Sequence, residues 1–285
     1  MNTQYLELRE RFPEFIYRDF TVEAQDGGFV VRYHFVVPGL TEFRPSLYFP
    51  SQSWPLLNHP DSPMARRILF SIGMVELVSY WKIACPPRVV VEAAYLDEAQ
   101  LAWWKQLYFG GLGEFFYRNE INPDRISFME LISTAEPAEI ADQTFLAAET
   151  RLIPIGGGKD SIVTLEHLRP LHGQNLLFAI NPTQASLDTM EIGGYGRDRR
   201  LLVSRTLDPE MLRLNREGYL NGHTPFSALL AFVSYFCAYL TGSTAVVLSN
   251  EASANAASVP GTEINHQYSK TSEFELAFQH YTKTY

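Results

Sequence analysis

The sequence predicts an α/β protein in which an α+β first half precedes a half built on an open parallel sheet. Three observations carry this. From residue 145 onward, short apolar runs alternate with runs of helical period. Before residue 140, strand and helix patterns do not alternate in that way. Between them, Ser133 to Thr144 collects acids, small residues and a proline, the composition of a linker. The halves are therefore placed at 1–140, expected to serve substrate binding, and 145–285, expected to bind a ligand at the carboxyl ends of its strands.

In the first half, Phe20 to Val37 reads as a hairpin. Asp26-Gly27-Gly28 supplies the positive-φ positions of a tight turn, and Phe29, Val31, Tyr33, Phe35 and Val37 keep the strand period after it. Pro45 to Phe49 is a further extended piece. Ala65 to Lys82 predicts a helix with Ile68, Ile72 and Val75 on one face, stopped by Cys85-Pro86-Pro87 and followed by the β-branched strand Arg88 to Val91. Leu101 to Asn119 is rich in aromatic residues. In the second half, Leu152 to Ile155, Leu176 to Ile180, Leu201 to Ser204 and Ala245 to Leu248 are short apolar strands. Asp160 to Leu168 is helical. Thr224 to Thr241 is the clearest helix, with Thr224 expected as its N-cap, Pro225 at its first position and Gly242 at its end.

Composition narrows the function classes. With 46% hydrophobic and 13% aromatic residues among 285, the chain can bury a large core, which excludes wholesale disorder. A formal charge of −9 argues against nucleic acid or an anionic membrane as partner, since both gain from a basic surface; Arg197-Asp198-Arg199-Arg200 is the one compact basic cluster. The two cysteines, Cys85 and Cys237, form no CxxC pair, so a structural zinc or dithiol site is not expected. Charges at Glu7, Arg9, Glu10 and Arg11 interrupt any leader-like apolar core, and no apolar run nears the roughly 18 residues of a membrane span. A cytoplasmic protein is the expectation; oligomeric state has no signature in the sequence.

The decisive motif is Leu152-Ile153-Pro154-Ile155 followed by Gly156-Gly157-Gly158-Lys159-Asp160-Ser161 and a helix. Glycines let backbone N–H groups approach phosphate oxygens with no Cβ in the way, and the first turn of a helix favours an anion. Lys159 adds a mobile positive charge, Ser161 a hydroxyl donor, and Asp160 a carboxylate that can hold Mg²⁺ against phosphates. A Walker loop needs G-x-x-x-x-G-K-[ST] and a dinucleotide loop needs G-x-G-x-x-G; neither spacing is present. The segment resembles instead the SGGxDS loop of the ATP pyrophosphatase (PP-loop) superfamily, with Gly156 where that pattern has serine. That resemblance implies ATP and Mg²⁺ as cofactors and transfer of AMP to an oxygen nucleophile.

Other residues qualify as site candidates. Asn181 follows the second strand, where that superfamily receives adenine, although Asn-Pro also simply turns a chain. His223, in Asn221-Gly222-His223-Thr224, can face the nucleotide or belong to a capping turn. After the fourth strand comes a loop dense in polar side chains, in which Glu251, His266 and Lys270 are the candidates for acid, base or metal contact. Cys237 reads as core filler on an apolar helix face, which leaves a two-thiol racemase with Cys85 a remote reading. Glu76 and Lys82 fit either a core or exposed helix position or a pocket wall, the former favoured.

Several blocks taken together are more specific. They are Gly73-Met74-Val75-Glu76-Leu77 with Tyr80-Trp81-Lys82, Trp103-Trp104-Lys105 with Gly111-Leu112-Gly113-Glu114-Phe115, and the glycine loop. Leu220 to Ser227, Ser249 to Ser253 and Asn265 to Lys270 complete the set. The chain in this respect resembles the UDP-N-acetyl-α-D-muramoyl-L-alanyl-L-glutamate epimerases. The resemblance implies ATP- and Mg²⁺-dependent inversion of the terminal L-Glu of UDP-MurNAc-L-Ala-L-Glu through an acyl-adenylate, in peptidoglycan precursor synthesis. It also implies a C-terminally truncated chain, because members of that family continue beyond the position matching Tyr285. Another adenylating reaction (amidation or thiolation), or a nucleotide-binding fragment without chemistry, are the competing readings.

Overall fold

Among the described residues, ten strands pair edge to edge into one mixed sheet, in the order β10-β7-β8-β9-β4-β2-β1-β5-β6, with β3 beside β2. The computed structural model describes residues 2–51, 56–137, 145–250, 252–255 and 267–285. In chain order the first half gives α1 (Thr3–Arg11), β1 (Glu14–Gln25), β2 (Gly28–Val37), β3 (Thr41–Phe43), β4 (Ser46–Pro50) and α2 (Pro63–Trp81). It continues through β5 (Arg88–Val91), α3 (Glu98–Gly111), α4 (Gly113–Arg118) and β6 (Glu130–Ser133). The second half gives β7 (Ala148–Pro154), α5 (Lys159–His167), β8 (Asn175–Ile180), α6 (Gln184–Ile192), β9 (Arg200–Thr206), α7 (Pro209–Arg216), α8 (Phe226–Thr241), β10 (Ser243–Val246) and α9 (Ser272–Thr284).

The expected hairpin is β1 and β2, antiparallel, with Gln25 opposite Gly28 across the turn. The expected parallel sheet is β10-β7-β8-β9, every neighbouring pair in it running parallel. What local patterning does not announce is the seam between the halves. β4 pairs antiparallel with β9, Ser46 opposite Thr206 and Tyr48 opposite Ser204, so one hydrogen-bonded sheet runs through both.

Strand alternation distributes the second half over two faces. Leu152, Phe178, Leu201 and Val203 join the large core that also holds α2 and α8 residues such as Ile72, Val75, Leu229, Phe232 and Phe236. Their neighbours Ile153, Ile155, Leu177 and Ala179 pack on the opposite face with Leu165 of α5 and Met190 of α6. The chain thus winds β7-α5-β8-α6-β9 along one face and returns by α8 on the other to lay β10 beside β7. The winding reverses between β7 and β10, which is where open α/β sheets bind ligands.

Helix α2 starts as its sequence dictates, with Ser62 accepting from the Ala65 N–H and Pro63 in its first turn. The expectation of one buried face is too narrow: every residue from Ile68 to Trp81 is buried. A helix apolar nearly all round is a central one, and any charge on it must find a partner. Helix α8 differs from expectation at its start. Pro225 is the capping residue, no side chain caps the helix, and the Thr224 hydroxyl lies 3.2 Å from that of Ser79 on α2. The proline fixes the entry to the helix, which frees Thr224 from capping.

Candidate functional site

The glycine loop follows β7 at the carboxyl edge of the sheet, at the reversal point. Ile155 still donates to the Phe178 carbonyl at 2.8 Å, and the chain then leaves the sheet. Gly157 has φ of +79°, and a Cβ there would stand 2.6 Å from the Ser186 nitrogen and 2.8 Å from the Ala185 carbonyl carbon, so only glycine fits against the first turn of α6. At Gly156 and Gly158 a Cβ would meet nothing within 4 Å, so those two stand open. Gly158 is the capping residue of α5 and supplies no side-chain cap. The positive end of the helix there suits an anion. Lys159 is exposed and Asp160 half-buried on that first turn. Ser161 is buried, with its hydroxyl donating back to the Gly158 carbonyl at 2.9 Å; here it braces the loop. Past the end of β10, Ser249 hydrogen-bonds Thr164 of α5, closing one wall. A nest with an open backbone, an uncapped helix start and one lysine fits a polyphosphate, and Asp160 would hold its Mg²⁺. Among the described residues no group of three or more His, Cys, Asp or Glu side chains could hold a metal by itself.

Asn181 shares that edge, one strand over. Its backbone sits at φ +45°, and its amide clasps the end of β9: Nδ2 donates to the Arg205 carbonyl and Oδ1 accepts from the Arg205 N–H, both at 2.8 Å. The side chain therefore acts as a length of strand that fixes Arg205. His223 is exposed in the loop before α8. Lys82 donates to the Gly222 carbonyl at 2.6 Å and Asn119 to the Asn221 carbonyl at 3.1 Å, holding that loop. Lys270 is exposed in a single turn, Tyr268–Lys270, packed against α3 and α8, whereas the glycine loop faces α5 and α6. Glu251 and His266 lie outside the described residues.

The charged pair that local pattern leaves open is the most deeply placed feature of the edge. Glu76 on α2, 1% exposed, takes Arg205 of β9 in a two-point grip. Nε meets Oε1, and Nη2 meets Oε2 at 2.7 Å. Burial works against the Arg205 charge, and the Glu76 carboxylate more than restores it, leaving its pKa above the ordinary value. Lys82, buried near the end of the same helix, is pushed down to about 8 by burial and then by the Arg205 charge. Cys85 and Cys237 are buried free thiols, and burial raises both above the usual thiol range, as core filler requires. A separate cavity of about 1060 Å³ lies past the end of α3, with Gln106, Phe109, Phe116, Tyr117, Arg125 and Tyr268 in its wall. Gly110 and Gly111 divide the two regions: a Cβ on the first would meet the Tyr268 ring at 2.7 Å, and on the second Pro225 at 2.7 Å.

No solved structure matches the chain. Among curated proteins, it is 35% identical over 230 residues to the UDP-N-acetyl-alpha-D-muramoyl-L-alanyl-L-glutamate epimerase of Xanthomonas oryzae pv. oryzae (strain MAFF 311018), covering 80% of this chain and 49% of that protein. It is 32% identical over 274 residues to the enzyme of the same name from Micromonospora sp., covering 94% and 59%. With the Salinispora tropica enzyme of that name the identity is 34% over 213 residues, covering 73% and 45%. The chain thus spans about half the length of the curated relatives it matches. The model of the MurL N-terminal domain matches residues 7–285, and by that match the chain belongs to the MurL N-terminal domain family.

Proposed function

We propose that this chain supplies the ATP- and Mg²⁺-binding part of an enzyme that inverts the terminal L-Glu of UDP-MurNAc-L-Ala-L-Glu to D-Glu, a step in peptidoglycan precursor synthesis. The observation that carries the reading is the uncapped glycine loop between β7 and α5 at the reversal point of the sheet. The relatives' name supplies the substrate.

The chemistry explains why such an enzyme would need ATP. Removing the α-proton of a carboxylate builds a second negative charge next to the first. Attack of the glutamyl carboxylate oxygen on the α-phosphorus, with diphosphate leaving, would convert the carboxylate to a mixed anhydride with AMP, whose carbonyl no longer carries the charge. A base then takes the α-proton, a proton returns on the other face, and water cleaves the anhydride to release AMP. The loop of residues 156–158 and Lys159 would hold the phosphates, and Asp160 the metal. Lys270, His266 and Glu251 are the proposed acid–base groups. The cavity of about 1060 Å³ falls at the top of the size class that encloses whole small ligands, and the reading assigns it to the nucleotide-sugar end.

The test incubates the protein with ATP, Mg²⁺ and UDP-MurNAc-L-Ala-L-Glu in D₂O. Deuterium at the glutamate Cα with equimolar AMP supports the reading. AMP formed only with an added amine or sulfur donor would point to amidation or thiolation, and nucleotide binding without turnover to a binding fragment.

A further inference from the structure

At the end of β9, Arg205 follows Leu201 and Val203 in strand parity, so its side chain turns toward α2 and α8. Its Nε and Nη2 are committed to Glu76; Nη1 has no hydrogen bond among the described residues. The Arg205 side chain is 15% exposed, and it opens into a small cavity whose polar wall is completed by Ser79 and Thr224. Val75, Pro225, Phe226 and Leu229 form the apolar remainder. The cavity itself is about 10 Å³, room for one oxygen of a carboxylate, whose remaining atoms and stem would lie at its mouth.

Two features of this pocket select a ligand. A guanidinium gripped along one edge keeps a second edge in fixed orientation, the arrangement that suits a carboxylate better than a mobile lysine would. The apolar rim matches a short methylene stem. We propose that Arg205, oriented by Glu76 and flanked by Ser79 and Thr224, is a specificity subsite for the side-chain carboxylate of an acidic amino-acid residue, the terminal glutamyl of the substrate.

The assignment rests on the function proposed above and deepens it. The α-carboxylate would be consumed at the glycine loop, which leaves the side-chain carboxylate as the remaining anion of that residue. The pocket and the loop lie on the same edge of the sheet, and β9 is two strand spacings from β7, about 10 Å.

Calorimetry without ATP tests it, using UDP-MurNAc-L-Ala-L-Glu and the same nucleotide ending in L-Gln. The wild-type chain is expected to prefer the Glu ligand by at least ~10-fold, the scale of a charge-assisted hydrogen bond. Thr224→Val keeps the ion pair intact and is expected to shrink that preference ~3- to 10-fold, by loss of one neutral hydrogen bond. Arg205→Lys, checked for folding by circular dichroism, should nearly abolish it. Equal affinity for the two ligands, or a preference unchanged in both variants, overturns the subsite. A chain that prefers Glu yet makes no AMP in the D₂O assay refutes the adenylation reading and leaves the subsite standing. One that makes AMP without preferring Glu does the reverse, and one that binds neither ligand overturns both.

Discussion

Glu76 and Arg205 form a two-point ion pair between the central helix α2 and the end of strand β9, so a carboxylate of the first half orients a guanidinium of the second. Because Glu76 is 1% exposed, its charge has no water to fall back on. Breaking such a pair from one side costs about 3–5 kcal/mol, whereas replacing both partners by apolar groups is often neutral. Glu76→Gln is therefore expected to lose stability on that scale in urea titrations. The double variant Glu76→Leu with Arg205→Met should recover most of it, and equal destabilisation by single and double variants would show that the charges themselves matter little.

The three glycines of the loop predict unequal tolerance. Gly157→Ala meets backbone at 2.6 Å and a positive φ, so it should both lower the melting temperature and weaken binding of a fluorescent ATP analogue at least ~10-fold, through a strain of roughly 1–3 kcal/mol. Gly158→Ala meets nothing within 4 Å and should keep its stability. A Gly157→Ala protein that bound normally would remove the loop from the nucleotide site.

Lys159 and Asp160 separate charge from metal. Lys159→Ala should raise the ATP Kd by roughly 10-fold, whether or not Mg²⁺ is present. Asp160→Asn should leave metal-free nucleotide binding intact while removing the enhancement by Mg²⁺, which titration with and without EDTA distinguishes.

The lowered pKa of Lys82 links stability to pH with a definite sign. Its folded value is about 8 and its ordinary value 10.5, so across that window the unfolded chain holds more protons and the Lys82 contribution rises with pH. It is lost as the pH falls through about 8. The stability of wild type minus that of Lys82→Met should accordingly increase between pH 8 and 10.5. The subtraction cancels the buried tyrosines, such as Tyr17 and Tyr108, whose raised values act in the opposite direction. A flat difference would mean that the ammonium is solvated in the folded state.

Both thiols are buried and held protonated, so Ellman's reagent should titrate neither Cys85 nor Cys237 until the chain unfolds. Fast reaction of one thiol in the native protein would reopen the two-thiol chemistry.

Much of this architecture was legible in the sequence because its causes are local. The hairpin turn at Asp26-Gly27, the helix that runs from Ala65 to the stop at Cys85-Pro86-Pro87, the strand–glycine–helix unit at 152–168 and the apolar helix before Gly242 each follow from spacing within a few residues. The α/β class follows from them. The pairing of β4 with β9 has no local cause: the two strands lie far apart in sequence and find each other by shape and backbone hydrogen bonds alone. For the same reason Glu76 and Lys82 stayed ambiguous, since their burial depends on what surrounds α2 on every side. Thr224 misled because a threonine before a proline and an apolar run looks like a cap from sequence, yet its hydroxyl is turned to Ser79. Arg205 carries no signal as one arginine ending a strand, and only its neighbours make it a site.

The β4–β9 seam bears on any attempt to divide this protein. Cutting the chain between residues 137 and 145 would strip β9 of β4 and leave each fragment with a raw strand edge, a row of unpaired amides and carbonyls that recruits foreign strands. The isolated second half would then be prone to self-association and would lack the anchor that sets Arg205. The junction that is easiest to see in composition is thus a poor place for the scissors, and the edge that carries the glycine loop depends for its shape on residues laid down at the start of the chain.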